Sequence, residues 1–273
     1  MGAGNKKTRV LNRRSSIVRL VQKPGKNTQM PSNAQELNRI STGVECLDKM
    51  LRGGIPEGDQ MLISGAAGSG KTLLAFETLY NNAKMNIPVT YVILDIPKAN
   101  LLRNVKSVFL DFKDIDTLMS GNILSVVNDT PHGAIETSEV KQAFIGQVLK
   151  TIEQNKSRII VIDSLNTIRA SMPDDMSFTR LVSSLTEELR SRGITCVMTA
   201  ETPVQQTQLI EPLGLYGTFM IDGIIEISGP AGGKEGSAFH FIRIVKMRET
   251  NHATEPLLFE ITRSGFLRKG AKC

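Results

Sequence analysis

Eight residues in one run, Gly65-Ala66-Ala67-Gly68-Ser69-Gly70-Lys71-Thr72, pair glycines with a lysine and a hydroxyl at the spacing Gly-x-x-x-x-Gly-Lys-[Ser/Thr]. Glycine lets a backbone wrap closely around a phosphate, and consecutive N–H groups at a helix start supply donors and a positive field. In such a loop Lys71 reaches the β and γ phosphates of a nucleotide, and Thr72 offers its hydroxyl to Mg²⁺, a cation that prefers oxygen ligands. The nucleotide-binding stretch is therefore expected to run from Gly65, Ala66, Ala67, Gly68, Ser69 and Gly70 through Lys71, Thr72 and Leu73, with ATP and Mg²⁺ as cofactors. A second element is Arg158-Ile159-Ile160-Val161-Ile162-Asp163-Ser164, an apolar run ending in a carboxylate. An acid at a strand's C-terminal end faces the crevice where α/β sheets bind ligands, so Asp163 is the natural partner of the Mg²⁺ ion and its waters. The plain alternative for each is structural: a glycine turn for the loop, a helix cap for Asp163.

These groups need elements to hold them. A buried strand from Gln60 to Ser64 precedes the loop, and an amphipathic helix from Lys71 to about Lys84 follows it. Val- and Ile-rich runs at Val89–Asp95, Ile123–Asn128, Arg158–Leu165 and Thr195–Ala200 alternate with helical patterns at Pro97–Leu110, Ser138–Gln154 and Ser177–Arg192. That alternation predicts βαβ units and a mainly parallel sheet covered on both faces, an α/β fold. Beyond Glu201 three strand-like runs, Ile221–Ser228, Ala238–Arg248 and Pro256–Thr262, follow without intervening helix, which predicts an antiparallel extension. We see no internal repeat.

The chain has 273 residues, 40% of them apolar and 22% charged, enough for one large domain with appendages. Its net charge of +6 is uneven: Lys6, Lys7, Arg9, Arg13, Arg14, Arg19, Lys23 and Lys26 stand in a segment with no acidic residue. The body is slightly acidic. Residues 1–31 read as a basic arm and linker, able to meet nucleic acid, an acidic protein surface or anionic lipid by charge, and residues 32–273 as the domain. No run approaches the ~20 apolar residues that span a bilayer, and no secretion signal is apparent, so a cytoplasmic location is expected. Cys46, Cys196 and Cys273 are odd in number and far apart, which argues against a disulfide framework or structural zinc. His132, His240 and His252 are dispersed, and Met172, Met176 and Met198 read as core filler.

From about Ile40 to Phe266 the chain resembles the KaiC-like branch of the RecA-superfamily ATPases. The resemblance is carried by Ser41-Thr42-Gly43-Val44-Glu45-Cys46-Leu47-Asp48, Gly53-Gly54-Ile55-Pro56-Glu57-Gly58, the phosphate loop, Val161-Ile162-Asp163-Ser164, and Lys246-Met247-Arg248 followed by Asn251-His252. It implies a three-layer RecA-like core that assembles as a ring, commonly a hexamer, with ATP between neighbouring subunits. It also implies that Lys246 and Arg248 reach the γ-phosphate of the adjacent subunit and stabilise charge there. Their plain reading is an exposed basic pair on an edge strand.

The pattern breaks at Leu94-Asp95-Ile96, where such proteins usually carry two adjacent glutamates. Asp95 remains the candidate base, one methylene short, and misplacement by about 1 Å can cost on the order of 100-fold in rate. Slow hydrolysis is the expectation. Glu201 and Thr199 are alternative groups for ordering water at the crevice. The segment from Thr202 to Phe219, where recombinases carry DNA-binding loops, has no Lys or Arg, which weakens a DNA-binding role. The readings left open are a regulatory ATPase with an unknown protein partner, a recombinase paralogue that binds nucleic acid, a non-hydrolysing nucleotide-binding scaffold, and an autokinase.

Overall fold

The structure is a computed structural model describing residues 1, 38–109, 111–128, 138–202, 219–231 and 239–268, of which 138–141, 230–231 and 267–268 are described by backbone alone. The chain divides into two units at Glu36/Leu37, and all that follows concerns the second. The basic arm, the bulk of the segment after Thr202, and His132 lie outside the described residues.

A short antiparallel pair, β1 (Arg39–Ile40) and β2 (Ile55–Pro56), brackets α1 (Glu45–Met50). Asp48 fixes this corner, accepting from the Ser41 and Thr42 hydroxyls, both at 2.6 Å, and from the Thr42 N–H at 2.7 Å. The main chain then runs β3 (Gln60–Gly65), α2 (Lys71–Lys84), β4 (Val89–Ile93), α3 (Lys98–Val108), α4 (Ile115–Ser120), β5 (Leu124–Asn128), α5 (Ser138–Asn155), β6 (Ile159–Asp163), α6 (Leu165–Ala170), α7 (Asp175–Ser191) and β7 (Thr195–Glu201). It finishes with β8 (Gly223–Ala231), β9 (Phe239–Met247), β10 (Leu257–Thr262) and β11 (Gly265–Arg268). Nine strands form one sheet in the order β11-β10-β9-β8-β3-β7-β6-β4-β5. The six from β8 to β5 are parallel, and β9, β10 and β11 extend the sheet antiparallel.

Side chains alternate along each parallel strand, and both faces are covered. Met61, Ile63, Ile159 and Val161 pack on one face with residues of α1 to α4, such as Leu47, Leu74, Phe76 and Leu101. Leu62, Ile160 and Ile162 pack on the other with α5, α6 and α7. That produces three layers, and each fully buried Leu or Ile stabilises the fold by about 1.5–3 kcal/mol. Helix α7 illustrates the local logic. Asp174 caps it by accepting the Ser177 N–H at 2.7 Å, and Phe178, Leu181, Val182, Leu185 and Leu189 recur at helical spacing to form its buried face. Along β9, Ile242 and Ile244 are buried while Phe241 before them and Val245 after them are exposed.

The sequence pattern overran one element and missed three. Strand β4 stops at Ile93, two residues before Asp95. Helices α4 and α6 are six residues each and β11 is four, too short for a periodic signal to rise above its neighbours. Of the methionines, Met198 is buried and Met172 packs against the same cluster, whereas Met176 is exposed. Cys196 is a buried free thiol, and burial pushes its pKa up. Cys46 is buried and, against expectation, disulfide-bonded. Among the described residues no helix is long and apolar enough to cross a membrane.

Candidate functional site

Strand β3 lies inside the parallel sheet between β8 and β7, and the chain leaves its C-terminal end into the glycine loop. The exit admits only glycine. A Cβ on Gly65 would stand 2.3 Å from the Ile227 carbonyl oxygen and 2.7 Å from Ser69 Oγ. Gly70 caps α2 in the left-handed region at φ +99°, where a Cβ would press on Ile261 and Phe266. The loop's crest, Ala67 and Gly68, is exposed, Ala66 and Gly70 are half-buried, and Ser69 is buried. Leu73, half-buried, packs against the core.

Lys71 opens α2 and folds back over the loop. Its ammonium donates to the carbonyls of Gly65 at 3.0 Å and Ala66 at 2.8 Å, and Glu201 Oε1 stands 4.0 Å away. Burial lowers the lysine pKa, while the Glu201 and Asp163 carboxylates pull the other way.

Thr72, next in the helix, donates to Asp163 Oδ2 at 2.8 Å. Asp163 ends β6 and is only 4% exposed. Tyr91 from β4 donates to the same oxygen at 2.6 Å, and Thr199 from β7 donates to Oδ1. Three hydroxyls from three elements thus converge on one buried carboxylate. Tyr91 is held firmly as the neutral phenol: burial first, then the Asp163 charge, push its pKa well up. Asp95 lies just beyond β4 at the same end of the sheet, where the Leu94 N–H donates to the Asp163 carbonyl at 2.8 Å. Burial and the Asp163 charge raise its pKa, opposed by backbone N–H groups of Asp95 and Ile96.

The residues present fit a nucleotide with its metal. The loop's glycines leave room that side chains would fill, an ammonium waits on two carbonyls, and the metal donors are a hydroxyl and a carboxylate, the all-oxygen chemistry of a hard divalent cation.

The geometry brings Lys71, Thr72, Asp163, Asp95 and Glu201 to one edge of the sheet. Lys246 and Arg248 are not among them. In register, Met61 pairs with Gly223 and Gly223 with Met247, so the basic pair stands level with the start of β3. That is four residues below Gly65, about 13 Å along the strands. Thr199 donates its hydroxyl to Asp163. Glu201 is half exposed at the crevice, its N–H held by Asn166 Oδ1 at 2.7 Å. Sequence reasoning missed Tyr91 and Asn166. The only signal for Tyr91 was a phenol within an aliphatic strand, which becomes legible once the register pairs Tyr91 with Val161, two residues from Asp163.

A family model described as the KaiC ATPase matches residues 40–267. The chain is 26% identical over 237 residues to the circadian clock oscillator protein KaiC of Rippkaea orientalis, covering 86% of this chain and 44% of that protein. It thus spans less than half the length of the clock proteins it matches. It is 26% identical over 241 residues to a UPF0273 protein of Thermotoga maritima, covering 85% of this chain and 96% of that one. In fold it is similar to the crystal structure of a KaiC-like protein from Pyrococcus horikoshii, with TM-score 0.70, 24% identity, and coverage of 86% of this chain and all of that one.

Proposed function

Because the chain belongs to the KaiC family of ATPases, we propose that it is a regulatory ATPase that binds ATP with Mg²⁺, assembles with copies of itself into a hexameric ring, and hydrolyses ATP slowly in the cytoplasm. The observation that carries the reading is the meeting of Lys71, Thr72 and Asp163 at the end of β3, where the loop's N–H groups and the α2 N-terminus face the same crevice. Lys71 exchanges its two carbonyl partners for phosphate oxygens. Mg²⁺ held by Thr72, and through its waters by Asp163, would supply neutralisation of phosphate charge. Asp95 is the base that takes a proton from water, and its raised pKa suits that task better than an ordinary carboxylate would. Ile96 beside it supplies no second carboxylate, which favours slow turnover.

Ring assembly is supported by the position of Lys246 and Arg248. They stand at the opposite end of the strands from their own phosphate loop, too far to serve it, where a neighbouring copy can approach. The basic residues between Lys6 and Lys26 would then recruit an acidic partner.

Calorimetry tests the core of this reading. Wild type is expected to release heat with ATP and Mg²⁺, and Lys71→Ala to release none; equal heats would refute it. Mass measurement in solution tests the rest, with wild type assembling on ATP and Mg²⁺ and Arg248→Ala assembling less.

A further inference from the structure

At the opposite end of the strands from the phosphate loop, Asp222 immediately precedes β8 and is only 6% exposed. Its carboxylate collects partners from three elements. Oδ2 accepts the Gln60 N–H at 2.9 Å and Arg190 Nη2 at 2.8 Å, and Oδ1 accepts Arg248 Nη1 at 3.2 Å. Its backbone repeats the pattern, donating to the Gln60 carbonyl at 2.8 Å and accepting the Arg248 N–H at 2.9 Å. The residues just before it hold the rest of the basic pair: Lys246 Nζ donates to the Ile221 carbonyl at 2.6 Å and Arg248 Nη2 to the Phe219 carbonyl at 2.5 Å. Arg190 also reaches the Met220 carbonyl at 3.2 Å.

We propose that Asp222 is a positioning residue: by pinning residues 219–222 to the first residue of β3, it holds Lys246 and Arg248 at the place from which they serve the site of a neighbouring copy. The inference rests on the proposed trans contact and adds the group that sets its geometry. Arg248 is nearly half exposed, so its long side chain has rotamer freedom to lose, and the buried Asp222 carboxylate, together with the Phe219 carbonyl, fixes its guanidinium. A cation misplaced by about 1 Å can lower a rate on the order of 100-fold. Asp222 lies at the far end of β3 from its own phosphate loop, so its effect appears at the neighbour's site and not at its own.

The test uses full-length Asp222→Asn and Asp222→Glu with ATP and Mg²⁺. Each is expected to bind ATP within about twofold of wild type and to keep its KM, while kcat falls about 10- to 100-fold. Mixing Asp222→Asn with Lys71→Ala is expected to restore phosphate release several-fold above the sum of the two alone, because the Lys71 variant supplies an ordered basic pair to an intact phosphate loop. Unchanged kcat, or no restoration on mixing, overturns the proposal. So does loss of ATP binding in both variants, which would make Asp222 a residue of folding alone. If wild type itself releases phosphate no faster than Lys71→Ala, the hydrolytic reading fails and this inference falls with it, an outcome visible in that control before any Asp222 variant is measured.

Discussion

Glu77 offers a measurement that reports directly on how the phosphate-loop helix is joined to the end of the chain. It lies on α2, 3% exposed, and accepts the Phe266 N–H at 2.9 Å from the β10–β11 hairpin. No cation pairs with it among the described residues, and burial pushes its pKa from the ordinary 4.5 up to about 8. The folded state therefore holds the proton more tightly than the unfolded chain. Stability from this group is full below pH 4.5 and declines as pH rises towards 8. At about 1.4 kcal/mol per pKa unit, the decline is on the order of 4 kcal/mol across that window. Glu77→Gln keeps an acceptor for the Phe266 N–H and cannot ionise. Urea unfolding followed between pH 5 and 9 is expected to give nearly equal stabilities at pH 5 and a variant more stable than wild type by several kcal/mol at pH 9. Asp59, whose pKa burial and the neighbouring Asp222 and Glu249 raise to about 7, adds a slope common to both proteins, so the difference curve isolates Glu77. Parallel pH profiles would refute the reasoning, since they would mean that Glu77 ionises in the fold as freely as in the unfolded chain.

Other substitutions probe the same architecture. Tyr91→Phe deletes one of three hydroxyls on the buried Asp163 carboxylate and is expected to lower stability by about 1.5–3 kcal/mol in denaturant unfolding without Mg²⁺; a change under 0.5 kcal/mol would mean that the phenol contributes packing alone. Gly265→Ala places a Cβ 2.2 Å from Glu77 Oε1 at φ +109°, and a loss of about 2 kcal/mol or more is expected from strain and collision, with a wild-type melting curve counting against it. The raised pKa of Asp95 predicts that phosphate release climbs with pH through a value above 3.8 as the base ionises. Asp95→Asn should abolish that climb, and Asp95→Glu, which restores the missing methylene, should raise kcat; a slower Asp95→Glu enzyme with an unaltered pH profile would remove Asp95 from the role.

Much of this protein is written in local pattern. The Gly-x-x-x-x-Gly-Lys-Thr run needs only neighbouring residues to act, because a glycine turn at a helix start makes its own phosphate-binding surface, and Lys71–Lys84 is helical in the structure as its periodicity predicts. The buried aliphatic runs fix the parallel strands, since such segments are stable only when covered on both faces. What lay out of reach depends on strand order and register. Asp163 meets Thr72 because β6 and β3 are separated by β7 alone, and Tyr91 and Thr199 reach it from the strands on either side. Lys246 and Arg248 belong to the same sheet as the phosphate loop but stand at the opposite end of its strands, because β9 runs antiparallel to β8 and carries its end away from the loop. The buried pairing of Glu77 with Phe266 spans 189 residues. Composition and spacing name the groups that can act on a phosphate; only the packing of strands far apart in the chain decides which of them share a crevice, since a contact across a sheet leaves no periodic trace in the sequence.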